Sequence, residues 1–179
     1  MNEERPSSFM LEFTHTPPAR SLPDMPTPPI QRGMYFEDFQ IGHQIVTTSR
    51  TITETDIVNF AGLSGDYNQI HIDAEFARTT GFGQRVAHGL LVLSIASGLA
   101  VQTGFMEGTI IAFREINTWK FSLPVVIGDT IHTVLEIAET KALRRLGGGA
   151  IDIKLTVHNQ RGESVMSGMW TVLIASRPQ

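Results

Sequence analysis

Asp66 and His71 are the two side chains in this sequence best suited to proton chemistry on water. They lie within Phe60-Ala61-Gly62-Leu63-Ser64-Gly65-Asp66-Tyr67-Asn68-Gln69-Ile70-His71-Ile72-Asp73. Five residues along an α-helix turn the chain through about 500°, so a continuous helix would point the pair apart by roughly 140°. The glycine and asparagine around them favour an irregular loop instead, and a loop lets the two converge. A carboxylate and an imidazole that converge can hold one water between an acceptor and a group able to take and give a proton. Gly-Asp-x-Asn by itself is ordinary turn chemistry, so the chemical reading needs the rest of the chain.

Seven of the nine prolines precede residue 33, namely Pro6, Pro17, Pro18, Pro23, Pro26, Pro28 and Pro29. Proline fixes φ and has no N–H, which excludes a regular helix or interior strand there. Residues 1–33 therefore read as an extended or disordered arm, and 34–179 as the folded domain. Phe9, Met10, Leu11 and Phe13 also fit an arm lying across a neighbouring subunit.

Within the domain, Tyr35–Gly42 reads as a turn leading into a strand, Gln44–Ile52. Thr53 followed by Asp56 resembles a capping box for a helix that Gly62 would end. Asp73 is placed to cap a short helix through Arg78. The stretch from Ala87 to about Thr103 is apolar on nearly every face and reads as a buried helix. Strands are expected at Thr109–Phe113, Glu115–Phe121, Thr130–Thr140, Ala150–Asn159 and Ser164–Ile174. Ile151, Ile153, Leu155 and Val157 alternate with polar residues, as in a sheet with one wet face. Asn159–Gly162 reads as a hairpin turn, and Gly147-Gly148-Gly149 as a mobile hairpin loop. The sum is an α+β fold, a curved antiparallel sheet around one central apolar helix, with the Asp66–His71 loop just before that helix.

Composition narrows the function classes. A net charge of -4 and the lack of a basic stripe with interleaved aromatics argue against nucleic-acid binding. The run Lys141-Ala142-Leu143-Arg144-Arg145 fits a solvated turn or a contact for a phosphorylated ligand. With no cysteine, disulfides, thiolate nucleophiles and Cys-based metal sites are excluded, and a reducing cytoplasm is the expected location. The acidic start Met1–Pro6 is not followed by an apolar segment of the secretory type. The longest apolar stretch, Gly89–Val101, is too short to span a bilayer, so no membrane role is expected. No His and acidic spacing suggests a metal site, and no glycine-rich phosphate loop is present. His132 and His158 fall on strand faces and read as solvated.

The residues from Phe60 to Asp73 resemble the signature of R-specific enoyl-CoA hydratases, the MaoC-like dehydratases of the hot-dog fold. Gly65, Asp66, Asn68, Ile70, His71 and Asp73 match it. Arg85-Val86-Ala87-His88-Gly89-Leu90-Leu91 resembles that family's approach to the central helix, and Tyr35–Gly42 its usual start. The likeness covers residues 34–175. Gln69 departs from it, standing where the family has proline.

The resemblance implies that Asp66 and His71 bind a water and add it to the 2,3 double bond of a trans-2-enoyl-CoA, giving an R-3-hydroxyacyl-CoA, or run the reverse dehydration. It does not say which of the two takes the first proton. It places an oxyanion donor at the backbone N–H of Gly89, a plain helix-start glycine otherwise, where a helix N-terminus offers free N–H groups. Asn68 and Ser97 are candidates for supporting hydrogen bonds, although Ser97 also fits a small packing residue. His88 is either a second acid–base group or a residue shaping the start of the helix. No cofactor and no metal is implied, acyl-CoA being the substrate. A homodimer or higher homo-oligomer is implied, with Arg114 or the Lys141–Arg145 cluster available to CoA phosphates. Two alternatives share the fold: an acyl-CoA thioesterase, disfavoured because residues 89–104 carry no Asp or Glu, and a non-catalytic acyl-thioester-binding protein. Short, branched, dicarboxylic and carrier-bound acyl groups all remain open.

Overall fold

A computed structural model of the chain describes residues 32–178. The expected arm lies outside the described residues except for Arg32 and Gly33. Those two are tied to the domain: Arg32 pairs with Glu107 at 2.6 Å, and the Gly33 N–H donates to the Gly104 carbonyl at 2.9 Å.

The elements run β1 (Gln44–Val46), β2 (Arg50–Thr51), α1 (Glu54–Ser64), α2 (Gln69–Ile72), α3 (Ala74–Thr79), α4 (Gly89–Gln102), β3 (Ile110–Phe121), β4 (Thr130–Leu143), β5 (Gly148–His158) and β6 (Ser164–Ala175). All strand pairs are antiparallel, in the order β1-β4-β5-β6-β3, with β2 also on β4. The alternation expected in β5 holds, because Ile151, Ile153, Leu155 and Val157 are all fully buried. With Leu135, Ile137, Trp170, Val172 and Ile174 they form the concave face. Leu91, Val92, Ile95, Ala96 and Leu99 of α4 pack into that half of the core together with Ile52, Ile57 and Ile131. Among the described residues no helix is long and apolar enough to cross a membrane.

Several expectations need correction. The helix α4 is not buried all round. Leu90 and Val101 are 60% and 61% exposed, and Ser94 and Gly98 continue the open stripe. One curved sheet covers only one side of a helix, and no second layer among the described residues covers the other. The strand Gln44–Ile52 is two short pieces. At the break, the Thr47 hydroxyl takes the Thr133 N–H at 2.9 Å, replacing a ladder bond. Thr109–Phe113 and Glu115–Phe121 are one strand, β3, that accommodates its irregularity through register shifts and a positive φ of 51° at Thr118. Gly148 and Gly149 are not a loop but the start of β5, since a Cβ on Gly149 would overlap the Phe36 ring and one on Gly148 the Ile174 carbonyl. His132 and His158 are cross-strand partners, half-buried and stacked at 5.5 Å rather than fully solvated. Burial, with the neighbouring His158, pulls His132 below the usual histidine value.

The capping box at Thr53 forms as the sequence suggests. The Asp56 N–H donates to the Thr53 hydroxyl at 3.2 Å, and Asp56 Oδ2 takes the Thr53 N–H at 2.8 Å. The helix does not stop at Gly62. It runs to Ser64 and ends where Gly65 takes the left-handed conformation, φ 76°, which glycine adopts without steric cost. Burial works to raise the Asp56 pKa, but the Thr53 hydrogen bonds and Arg50 outweigh it, and the net shift is downward from 3.8. A lowered carboxylate stabilises the fold above its unfolded value, and that contribution fades as pH falls through the folded one. Thr53→Ala is expected to cost about 1 kcal/mol at neutral pH in thermal or urea unfolding. The deficit of Asp56→Asn should shrink once the pH drops below about 3.8.

Candidate functional site

Gly65 reverses the chain at the end of α1, and a run of short side chains then folds the next residues back on themselves. Asp66 Oδ1 accepts the Asn68 N–H at 3.2 Å, Asn68 Oδ1 accepts the Ile70 N–H at 3.3 Å, and Asp73 Oδ1 accepts the Phe76 N–H at 2.9 Å. The expected irregular loop is therefore a turn over 65–68 followed by the single helical turn α2. Gln69 is the first residue of α2. Proline is well tolerated at a first helical position, so glutamine there leaves the turn's hydrogen bonds in place.

The two side chains converge. A carboxylate oxygen of Asp66 and one ring nitrogen each of His71 and His88 lie within 4.8 Å of one another. Asp66 is exposed, while His71 is 8% and His88 2% exposed. His71 Nδ1 lies 2.7 Å from the Val86 carbonyl. A carbonyl only accepts, so Nδ1 carries a proton, and in the neutral ring Nε2 is the bare nitrogen. His88 has the opposite arrangement. Its Nε2 lies 2.9 Å from the backbone carbonyl of Asp66 and must donate, and its buried Nδ1 has no partner. The two rings stack at 3.8 Å with 27° between their planes, and Phe60 leans on His88 at 5.1 Å.

The three groups fit an ion poorly. Imidazole binds metals in the ring plane at about 2.0–2.1 Å. Two rings stacked nearly parallel cannot aim both lone pairs at one point between them. A water suits the site better, since two hydrogen bonds of about 2.8 Å through one oxygen bridge acceptors up to roughly 4.5 Å apart.

His71 forms part of the wall of a cavity of about 520 Å³. Ile70, Phe82 and Val86 flank it on one side. Gly89, Leu90 and Val92 come from the start of α4, Phe121–Val125 from the end of β3 and the segment after it, and Met166 from β6. Apart from His71, the one polar side chain in the lining is Ser122, and none is charged. Gly89 is the first residue of α4, so its N–H has no carbonyl of its own helix to bond. A Cβ at Gly89 would come within 2.6 Å of the Phe121 ring, and this close approach accounts for glycine at that position.

Of the residues singled out in the sequence, Asp66, His71 and His88 are brought together, and His71 and Gly89 share the cavity wall, which neither Asp66 nor His88 lines. Asn68 is exposed and committed to capping α2. Ser97 is half-buried on α4, about 12 Å along the axis from Gly89, and does not line the cavity. Neither Arg114 nor Lys141, Arg144 or Arg145 lines it either. Sequence reasoning missed the Val86 carbonyl, the His71–His88 stack and the wall from β3 and β6. All three are contacts between distant segments with no local signature.

Residues 38–159 match the family model described as the MaoC like domain. The protein MaoC of Klebsiella aerogenes is 45% identical over 101 residues, 56% of this chain and 30% of that protein. This chain thus spans less than a third of that relative. The (R)-specific enoyl-CoA hydratase of Rhodospirillum rubrum is 32% identical over 143 residues, 80% of this chain and 93% of the relative. Among solved structures, a monoamine oxidase regulatory protein from Archaeoglobus superposes with a TM-score of 0.77 and 41% identity over 83% of this chain and 99% of that one. A Mycobacterium tuberculosis protein with a double hot-dog fold gives 0.73 at 18% identity, over 82% of this chain and 46% of that one, a likeness of fold.

The His71–Val86 bond has a testable structural consequence. Asparagine can place its amide N–H where Nδ1 lies, whereas leucine leaves the buried Val86 carbonyl without a donor, at about 1–3 kcal/mol. His71→Asn is expected to melt above His71→Leu, although leucine fills more of the space. The reverse order would show that the bond contributes little.

Proposed function

This chain belongs to the MaoC-like dehydratase family and has the hot-dog fold, and from that premise we propose that it is a hydro-lyase. In this reading it adds water across the 2,3 double bond of a trans-2-enoyl-CoA to give the R-3-hydroxyacyl-CoA, and removes it in reverse. The observation that carries the proposal is the approach of the Asp66 carboxylate to His71, with His71 and the free first N–H of α4 at Gly89 both on the wall of one apolar cavity.

The steps follow from the groups present. A water held between Asp66 and His71 Nε2 meets two acceptors, so both of its protons are engaged and its oxygen is turned toward C3. As that oxygen attacks, one proton passes to the pair. Electron density moves through C2 to the thioester oxygen, where the Gly89 N–H and the α4 N-terminus offset the charge. The pair then returns the proton to C2 on the same face, so the elements of one water are added. Such proton transfer is typically worth about 10²–10⁴-fold.

The uncharged wall favours an uncharged acyl group. A dicarboxylic acyl chain would bring a carboxylate into a cavity with no cation to meet it, at a cost of several kcal/mol. The thioesterase alternative finds no support, since α4 carries neither Asp nor Glu. The reading includes a homodimer: β3 lies at the edge of the sheet and displays Ile110, Ile111, Phe113 and Ile116, each more than 40% exposed.

A panel of trans-2-enoyl-CoAs, followed by loss of enoyl absorbance with chiral analysis of product, tests the proposal. R-configured product is expected, with a carboxylate-bearing acyl group turned over at least about 10²-fold less efficiently than an uncharged one. Asp66→Asn and His71→Asn should each lose about 10²–10⁴-fold in kcat. Unchanged turnover in either variant, release of free thiol, or an S product would sink the reading. Gly89→Ala and Gly89→Pro separate the steric role of Gly89 from its donor role. Both add a Cβ against Phe121, but only proline removes the N–H, at a helix position that tolerates it. His88, with φ -58° and ψ 134°, already has the backbone that precedes proline. Proline is expected to cost about 10²–10³-fold in kcat beyond alanine.

A further inference from the structure

The proposed proton chemistry and the proposed oxyanion donor sit on different stretches of chain. Asp66 lies in the turn after α1 and His71 in the helical turn α2 that follows it, whereas Gly89 opens α4. An enoyl thioester fixes the separation between C3 and the thioester oxygen, so the two stretches must keep a fixed relation. His88 adjoins Gly89 covalently, and its Nε2 holds the Asp66 backbone carbonyl at 2.9 Å. The ring is 2% exposed, and it is wedged between His71 on one face, at 3.8 Å, and Phe60 at 5.1 Å.

We propose that His88 is a positioning residue, held as the Nε2–H tautomer, that pins the Asp66 turn to the start of α4 and so sets the water-binding pair against the Gly89 N–H. The proposal rests on the reading of Asp66, His71 and Gly89 given above. It separates His88 from the acid–base chemistry. One ring nitrogen is spent on a carbonyl, and the other is buried without a partner, so neither is free to relay a proton to substrate. It also makes the two stacked imidazoles opposite tautomers, His71 protonated on Nδ1 and His88 on Nε2.

Two amide substitutions give the role a positional test. Glutamine can place an N–H where Nε2 lies, and asparagine can place one only where Nδ1 lies. His88→Gln should restore most of the turnover that His88→Leu loses, whereas His88→Asn should not. The Leu and Asn variants are expected to lose on the order of 10²-fold in kcat, as a displacement of about 1 Å does, with KM changed only a few-fold. The Gln variant should keep both limbs of the wild-type pH–rate profile. Long-range proton–nitrogen NMR of labelled histidines in the intact wild-type protein reads the tautomers directly, whether or not the Leu variant folds. Opposite tautomers at His71 and His88, with rescue by Gln alone, support the role. An Nδ1–H tautomer at His88, equal rescue by Asn and Gln, or loss of a pH limb in His88→Gln would overturn it. A wild-type protein inert toward every enoyl thioester would instead overturn the hydratase reading, and the tautomers would still decide the clamp.

Discussion

Three hydrogen bonds between the turn after α1 and the segment leading into α4 hold the candidate site together. His71 Nδ1 donates to the Val86 carbonyl, the Val86 N–H donates to the Ile70 carbonyl at 3.1 Å, and His88 Nε2 donates to the Asp66 carbonyl. Each bond lies in or beside buried groups, where leaving a donor or acceptor unpaired costs more than the bond itself contributes. The clamp therefore does more than add stability. It determines which nitrogen of each histidine carries a proton, and so which nitrogen of His71 is left for other partners. It also brings a polar turn, rich in exposed residues, against the apolar start of α4.

The rest of the fold gives this clamp something rigid to stand on. The N-terminal half of α4 is fixed by packing of Leu91, Val92, Ile95 and Ala96 in one cluster with residues of β4, β5 and β6, with Ile57 of α1 and with Ile52 just after β2. The segment before the helix is fixed in turn by the Ala87 N–H on the Val125 carbonyl at 2.8 Å. Val125 follows β3, so the far wall of the cavity is tied to the same backbone that carries His88 and Gly89. Movement of the sheet edge would shift the wall and the helix start together. That arrangement suits a site whose groups must keep their distances while one face stays open to a ligand.

Much of this was legible in the sequence, for identifiable reasons. The alternation in β5, the Thr53–Asp56 cap and the Asp73 cap are local patterns, and each formed where local chemistry placed it. The convergence of Asp66 and His71 was legible because a glycine, an aspartate and an asparagine in close succession force a turn. What was not legible depended on partners far along the chain. Gly148 and Gly149 look like a flexible loop until Phe36 and Ile174 are seen lying against them. The apolar run of α4 reads as buried on all sides because periodicity records what a helix can bury, not how much of it one sheet can cover. Ser97, a candidate for a supporting hydrogen bond, lies about 12 Å along the axis from Gly89 and does not line the cavity. Val86 carried no signal, since its contribution is a backbone carbonyl that every residue has.

The contrast between the pair's two environments has a chemical consequence. Asp66 is exposed, whereas His71 is buried at the wall of an uncharged cavity. In the proposed reaction the hydroxyl a substrate gains would lie beside His71, because apart from the Ser122 hydroxyl and the Gly89 N–H the remaining side chains of the lining are apolar. A hydroxyl formed at C3 would be satisfied only beside the pair, and a double bond shifted further along the acyl chain would find no donor or acceptor. In the proposed reaction the wall would contribute to where water is added as well as to which chain is held. Under the proposed reaction, regioselectivity would come from the scarcity of polar partners elsewhere in the cavity as much as from the two residues proposed to supply the chemistry.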